Sequence, residues 1–271
     1  MISIKVKTVN KKISKDDFKS TILSDYRLAA EVRESGAQGR RDVLSGKGSS
    51  GIFGDGKELA QIALAKVFRH GAFRAGYYRD QALMTALGQY SPKHMFSSLY
   101  GDPELEREPS SGSRQMMNHF GTRFLNDDGS WKNLMEQNNS TSDMACLASQ
   151  FPRLVGLAQA SQVYRDNHEL AKSKPGFTNG GSEIAFATIG NSSCAEGHFF
   201  EAVNAIGVLQ VPAIISIWDD GYGISVANDI QMTKSDVSEV LKGFQMDEKS
   251  AGYDIVKVKA WDYPALISVY E

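Results

Sequence analysis

Cysteine is scarce in this sequence: Cys146 and Cys194 are the only two among 271 residues. Two cysteines make no disulfide framework and show no metal-ligand spacing. Both are expected as buried free thiols in a reducing, cytoplasmic compartment. A charge excess is missing too, since 30 Lys and Arg face 32 Asp and Glu, a net charge of −2. Charge-driven binding to nucleic acid or to an anionic membrane is therefore not expected. No stretch reads as a signal peptide or a spanning helix. There is no internal repeat or low-complexity run. A nucleotide phosphate loop is absent as well. Lys47 sits in the Gly/Ser-rich loop 45–56, but its spacing does not fit G-x-x-x-x-G-K-[ST], and no buried strand precedes it. What remains, 41% hydrophobic and 23% charged residues, suffices for one sizeable globular core.

The most informative stretch runs from Glu183 to Val226. The apolar run Ile184 to Ile189 reads as a buried strand. Gly190 stops it and opens the polar turn Asn191-Ser192-Ser193. A helix is expected from Cys194 to Leu209, with Phe199, Val203, Ile206 and Leu209 at three- or four-residue steps, until Pro212. Ala213 to Trp218 is a second buried strand, and it runs into Asp219-Asp220-Gly221-Tyr222-Gly223. A strand-helix-strand unit of this kind places two parallel strands side by side, with both polar turns at their carboxyl ends. Asn191 offers an amide oxygen, Asp220 a carboxylate and Tyr222 a backbone carbonyl. These hard oxygen donors are too few to enclose an ion, which suits Mg²⁺ shared with a substrate phosphate. The helix N-terminus favours the same phosphate.

On these residues the chain resembles the alpha subunit of the decarboxylating component of 2-oxo acid dehydrogenase complexes, a thiamine-diphosphate enzyme family. The family's cofactor motif opens with Gly-Asp-Gly and closes with Asn-Asn-Gly-Tyr-Ala-Ile-Ser. Here the opening is Gly190-Asn191-Ser192, and the close is Asp219-Asp220-Gly221-Tyr222-Gly223-Ile224-Ser225. One carboxylate and one amide are exchanged between Asn191 and Asp220, so the charge at the metal is kept. Ser192 replaces a glycine. Its side chain either crowds the diphosphate or hydrogen-bonds it.

The resemblance covers roughly 51–271 and implies an α/β thiamine-diphosphate-binding fold, mostly parallel sheet with helices on both faces. It implies metal ligation by Asn191, Asp220 and Tyr222, and cofactor contacts from Gly190, Ser192 and Ile224. Tyr78 and Arg79 take the place of the family's diphosphate clamp; without the resemblance, Arg79 reads as a surface residue paired with Asp80. Ala145 and Leu147 fall where the family contacts the aminopyrimidine ring. His119 stands in an imperfect match to Gly-Arg-x-x-Gln-Met-Pro-x-His and is a candidate for proton transfer, or simply a structural histidine. The implied cofactors are thiamine diphosphate and Mg²⁺. The implied partners are a beta-type subunit or domain, a lipoyl acyltransferase and further copies in an oligomer.

The remaining expectations are coarse. Residues 1–45 read as an arm, with a strand-like run at 2–6, followed by a helix that Asp16 can cap and that ends near Ser35. Residues 46–271 read as the cofactor domain, incomplete at its C-terminus. Helices are expected over 57–70 and 81–89, and from Val237 and Asp262. Residues 253–258 read as a strand and 228–235 as irregular. A transketolase-like transferase, or a non-catalytic domain with a decayed site, fits the same residues.

Overall fold

The computed structural model describes residues 14–271; the strand-like run at 2–6 lies outside them. Helix α1 spans Lys15–Leu44 and is capped by Ser14, whose hydroxyl accepts from the Asp17 amide at 3.0 Å. The cap is therefore two residues earlier than Asp16, and the helix runs a further nine residues past Ser35. Glu58, at the start of α2 (Glu58–Val67), takes a bidentate pair from Arg33 and ties α1 to the rest of the chain.

Four strands form the central sheet: β1 (Phe73–Ala75), β2 (Asn139–Ser140), β3 (Ala185–Gly190) and β4 (Ala213–Trp218). Their order is β2-β1-β3-β4 and every pairing is parallel. The expected strand-helix-strand unit is present: β3 and β4 pair along their whole length, from Ala185 opposite Ala213 to Gly190 opposite Trp218. The helix between them, α7, spans Gly197–Leu209 rather than starting at Cys194. Residues Asn191–Ala195 form a 3₁₀ turn first, because the Asn191 side chain is held by other loops.

Period-two alternation along β3 explains why helices cover both faces. Ala185, Ala187 and Ile189 face α5 (Gln150–Asp166) and α7, where Phe151 and Phe199 meet edge to face at 5.0 Å. Phe186 faces the other way, among Ala63 and Leu64 of α2, Phe68, and Leu266 of the C-terminal helix over Tyr263–Tyr270. Two shorter helices, α3 (Gln81–Ala86) and α4 (Pro92–Leu99), extend the second layer, and the short α6 (His168–Lys172) follows α5. Among the described residues no helix is long and apolar enough to cross a membrane.

Several sequence expectations need correcting. Residues 253–258 do not join the sheet: Tyr253 bridges Gln245, Ile255 and Val258 pack on opposite sides, and Val256 is exposed. The backbone of Tyr253 pairs with Phe244 and Met246 instead of the free edge of β4. The segment after Val226 is not irregular, since Asn228–Gln231 is a helical turn. Cys146 is exposed, because it lies in the loop leading to α5; only Cys194 is buried.

Candidate functional site

A parallel sheet sends every loop that follows a strand to one edge. Tyr77 to Arg79 follow β1, Ala145 and Leu147 follow β2, Asn191 and Ser192 follow β3, and Asp219 and Asp220 follow β4. The chain leaves β1 toward β2 and leaves β3 toward β4, in opposite directions. The crevice between β1 and β3 is thus the topological switch point, where open α/β sheets bind ligands. Tyr77 and Gly190 line it: the Tyr77 ring and hydroxyl come close to the position a Cβ of Gly190 would take.

Asn191 is buried at the centre. Its Nδ2 donates to the Tyr222 carbonyl at 3.2 Å and to Asn228 Oδ1 at 2.5 Å, and its Oδ1 faces the Asp220 amide at 3.5 Å. So Asn191, Asp220 and Tyr222 do converge. Sequence reasoning missed Asn228. It is buried, and its own amide donates to Ser235 O at 2.9 Å and Asp219 Oδ1 at 3.3 Å, which locks both loops. Its position just after the Asp219–Ser225 stretch was the available signal. The Asp220 carboxylate is exposed and accepts from the Tyr222 amide at 3.2 Å and from Lys57 Nζ at 2.8 Å. Among the described residues no three His, Cys, Asp or Glu side chains form a metal cluster. An ion here would need amide and carbonyl oxygens beside the single carboxylate. Asn191, Asp220 and Tyr222 supply that mixture, and their donor chemistry fits Mg²⁺.

Ser192 does not project freely from its turn. Its hydroxyl hydrogen-bonds Gln231 and fills the space beside Gly223, where a methyl group would overlap it. The family's motif has alanine at the position of Gly223, so the side chain added at 192 occupies the space vacated at 223. Gly223→Ala is expected to cost about 1–3 kcal/mol through overpacking. Adding Ser192→Gly is expected to restore most of it, as read by urea unfolding of the single and double variants. Equal destabilisation with and without Ser192→Gly would refute the pairing.

Arg79 stacks over the Tyr78 ring, 5.2 Å from its centroid, and its carbonyl accepts from Gln61 Nε2 at 2.7 Å. Asp80 is not its partner. That carboxylate is fully buried against Arg74, a residue the sequence reading passed over. Arg74 also binds Asp143 through two 3.0 Å bonds and donates to the Tyr77 carbonyl at 3.0 Å. Burial alone would lower the Arg74 pKa, but Asp143 and Asp80 outweigh it and the net shift is upward. Burial raises the Asp143 carboxyl against the pull of Arg74.

His119 is buried beside Tyr78, their rings 5.8 Å apart. Its Nδ1 lies 3.1 Å from the Met116 carbonyl, which makes Nδ1 a donor to that oxygen. The His119 Nε2 and the Tyr77 hydroxyl are both buried with no hydrogen-bond partner among the described residues. Burial and Asp80 push the Tyr77 phenol well above its usual pKa, so it stays a donor. Two unpaired polar atoms here leave hydrogen-bonding capacity that water or a ligand can take up.

The outer loops are open. Leu147 and Ala145 are exposed, and Ile224 is 96% exposed. Ala148 and Ile224 both adopt φ 58°. That is costly for a β-branched residue and typical of functional loops. A depression of about 300 Å³ shares Tyr222 and Asn228 with this loop cluster and is also lined by Asp219, Asp229 and Asp236. Its acidic wall is unsuited to a phosphate.

These features agree with the sequence comparisons. The model of the dehydrogenase E1 component family matches residues 42–262. The chain is 28% identical over 203 residues to the 2-oxoisovalerate dehydrogenase subunit alpha of Bacillus subtilis (strain 168), covering 74% of this chain and 52% of that protein. It is 25% identical over 156 residues to the mitochondrial 2-oxoisovalerate dehydrogenase subunit alpha of Caenorhabditis elegans, covering 58% of this chain and 29% of that one. The chain thus spans about half the length of the first relative and less of the second. With its match over 42–262, the chain belongs to the dehydrogenase E1 component family.

Proposed function

We propose that this chain supplies the diphosphate- and metal-binding half of a thiamine-diphosphate-dependent 2-oxo acid dehydrogenase. The observation that carries this reading is the placement, on loops at one edge of the sheet, of the Arg79 guanidinium, the Tyr77 phenol and the oxygen donors of Asn191, Asp220 and Tyr222. Arg79 and Tyr78 clamp the diphosphate. Asn191, Asp220 and the Tyr222 carbonyl hold Mg²⁺. Gly190, Ser192 and Ile224 border the cofactor, while Ala145 and Leu147 support its aminopyrimidine ring. Bound here, the thiazolium ring acts as the electron sink for loss of carbon dioxide from a 2-oxo acid. His119 Nε2, an unpartnered nitrogen near Tyr78, takes up or returns a proton at the wall of the site.

The remaining groups come from a beta-type subunit or domain, and the acyl product passes to a lipoyl acyltransferase within an oligomeric complex. The 271-residue chain alone then binds cofactor without decarboxylating, and its two free thiols suit a reducing cytoplasm. Calorimetric titration of thiamine diphosphate, with and without Mg²⁺, tests the reading on the longest natural form of the protein. Metal-dependent binding is expected, and Asp220→Ala should lower the affinity in Mg²⁺ about tenfold, toward the metal-free value. Absence of binding to well-folded protein would remove the enzyme reading.

A further inference from the structure

Lys57 is a residue to which neither the motif nor the proposed clamp gives a part. It is the N-cap of α2, directly after the turn Gly54-Asp55-Gly56. Its side chain is only 12% exposed, and its ammonium sits on Asp220 Oδ2 at 2.8 Å, across 163 positions of sequence. One helical turn further on, Gln61 holds the Arg79 carbonyl, so α2 places Lys57 beside the diphosphate clamp as well. The prospective metal ligands are all capped by hydrogen-bond donors. Lys57 and the Tyr222 amide take the two Asp220 oxygens, and Asn191 Nδ2 takes the Tyr222 carbonyl. Protein donors therefore already engage the oxygens that a cation would use, while the Asp220 side chain itself stays exposed.

We propose that the Lys57 ammonium occupies the seat of the divalent cation at Asp220. Metal entry then requires Lys57 to leave, and the freed ammonium becomes a further donor to the diphosphate. This rests on the reading of the site given above. Because one lysine serves two acceptors in turn, each ligand promotes the other: diphosphate draws Lys57 off Asp220, and metal releases it toward diphosphate. By linkage the two effects are equal. Lys57 is a positioning residue for this cofactor and metal pair, and takes no part in the chemical steps.

The test uses Mn²⁺ alone, followed by electron paramagnetic resonance, on the wild type and on Lys57→Gln and Lys57→Met variants. Removing the competing ammonium is expected to tighten Mn²⁺ binding about fivefold or more. In an Asp220→Asn background the same change is expected to have no effect. Calorimetry should show that Mn²⁺ raises thiamine diphosphate affinity more in the wild type than in either Lys57 variant. Unchanged or weaker Mn²⁺ affinity in both variants, or no Mn²⁺ binding to any protein, would overturn the proposal. If thiamine diphosphate binds the wild type in a metal-dependent way while the variants bind Mn²⁺ no more tightly, the lysine proposal alone fails. If the variants gain Mn²⁺ affinity but no protein binds thiamine diphosphate, the cofactor reading fails and the competition at Asp220 stands.

Discussion

Arg74→Met is expected to destabilise the protein by about 3–5 kcal/mol, the cost of stripping one partner from a buried ion pair. Arg74 is fully buried beneath the sheet edge with Asp80 and Asp143, and it also binds Ser140 Oγ at 2.7 Å and the Tyr77 carbonyl. Without the guanidinium, two carboxylates are left in a dry interior. They must take up protons or draw in water, and either lowers the stability. For a chain of this size the midpoint of thermal unfolding should fall by about 10 °C. Arg74→Lys keeps the charge but cannot reproduce the planar fork, so it is expected to lie between. Adding Asp143→Asn to Arg74→Met removes one orphaned charge and should recover part of the loss. Retention of wild-type stability by Arg74→Met, measured by urea unfolding, would show that the network contributes nothing. The position also depends on a small neighbour, since any side chain at Gly76 would collide with the Arg74 guanidinium.

The legible parts of this structure are those fixed by periodicity and local punctuation. The strands at 185–190 and 213–218 follow from apolar runs with defined ends, and parallel pairing follows from the helix between them. Asp262 capping the last helix and Asp236 capping the short helix Val237–Leu241 follow from side chains whose oxygens meet free backbone amides. What was hidden is long-range. Nothing local shows that Asp80 pairs with Arg74 instead of Arg79, or that Lys57 reaches Asp220, because both depend on how distant loops meet. Asn228 was passed over because a polar residue in a polar loop carries no mark of its burial. Residues 253–258 misled for a related reason: an apolar alternation satisfies two cores without any ladder of hydrogen bonds. The fate of Ser192 was also undecidable locally. The compensating change lies at Gly223, and only the fold brings the two together.

The correction at Asp80 gives the second large expectation. Because that carboxylate belongs to Arg74, the simplest alternative role of Arg79, a pair with its neighbour, is removed. The Arg79 guanidinium lies over the Tyr78 ring after the end of β1, with its backbone pinned by Gln61, and makes no ion pair among the described residues. A planar fork held this way is prearranged for two phosphate oxygens. Each charge-assisted bond contributes about 1.5–3 kcal/mol. Losing two is therefore expected to weaken thiamine diphosphate binding by at least about 100-fold. Arg79→Ala should show this in calorimetry at saturating Mg²⁺, with stability within about 1 kcal/mol of wild type, since Arg79 is half-buried but outside the hydrophobic core. Arg79→Lys, a point charge without the fork, should lose about tenfold. The two arginines thus separate cleanly. On the proposed reading, Arg74 acts on stability through a buried network, and Arg79 acts chiefly on affinity. An Arg79→Ala protein that bound thiamine diphosphate as tightly as wild type would break this division and, with it, the assignment of the clamp.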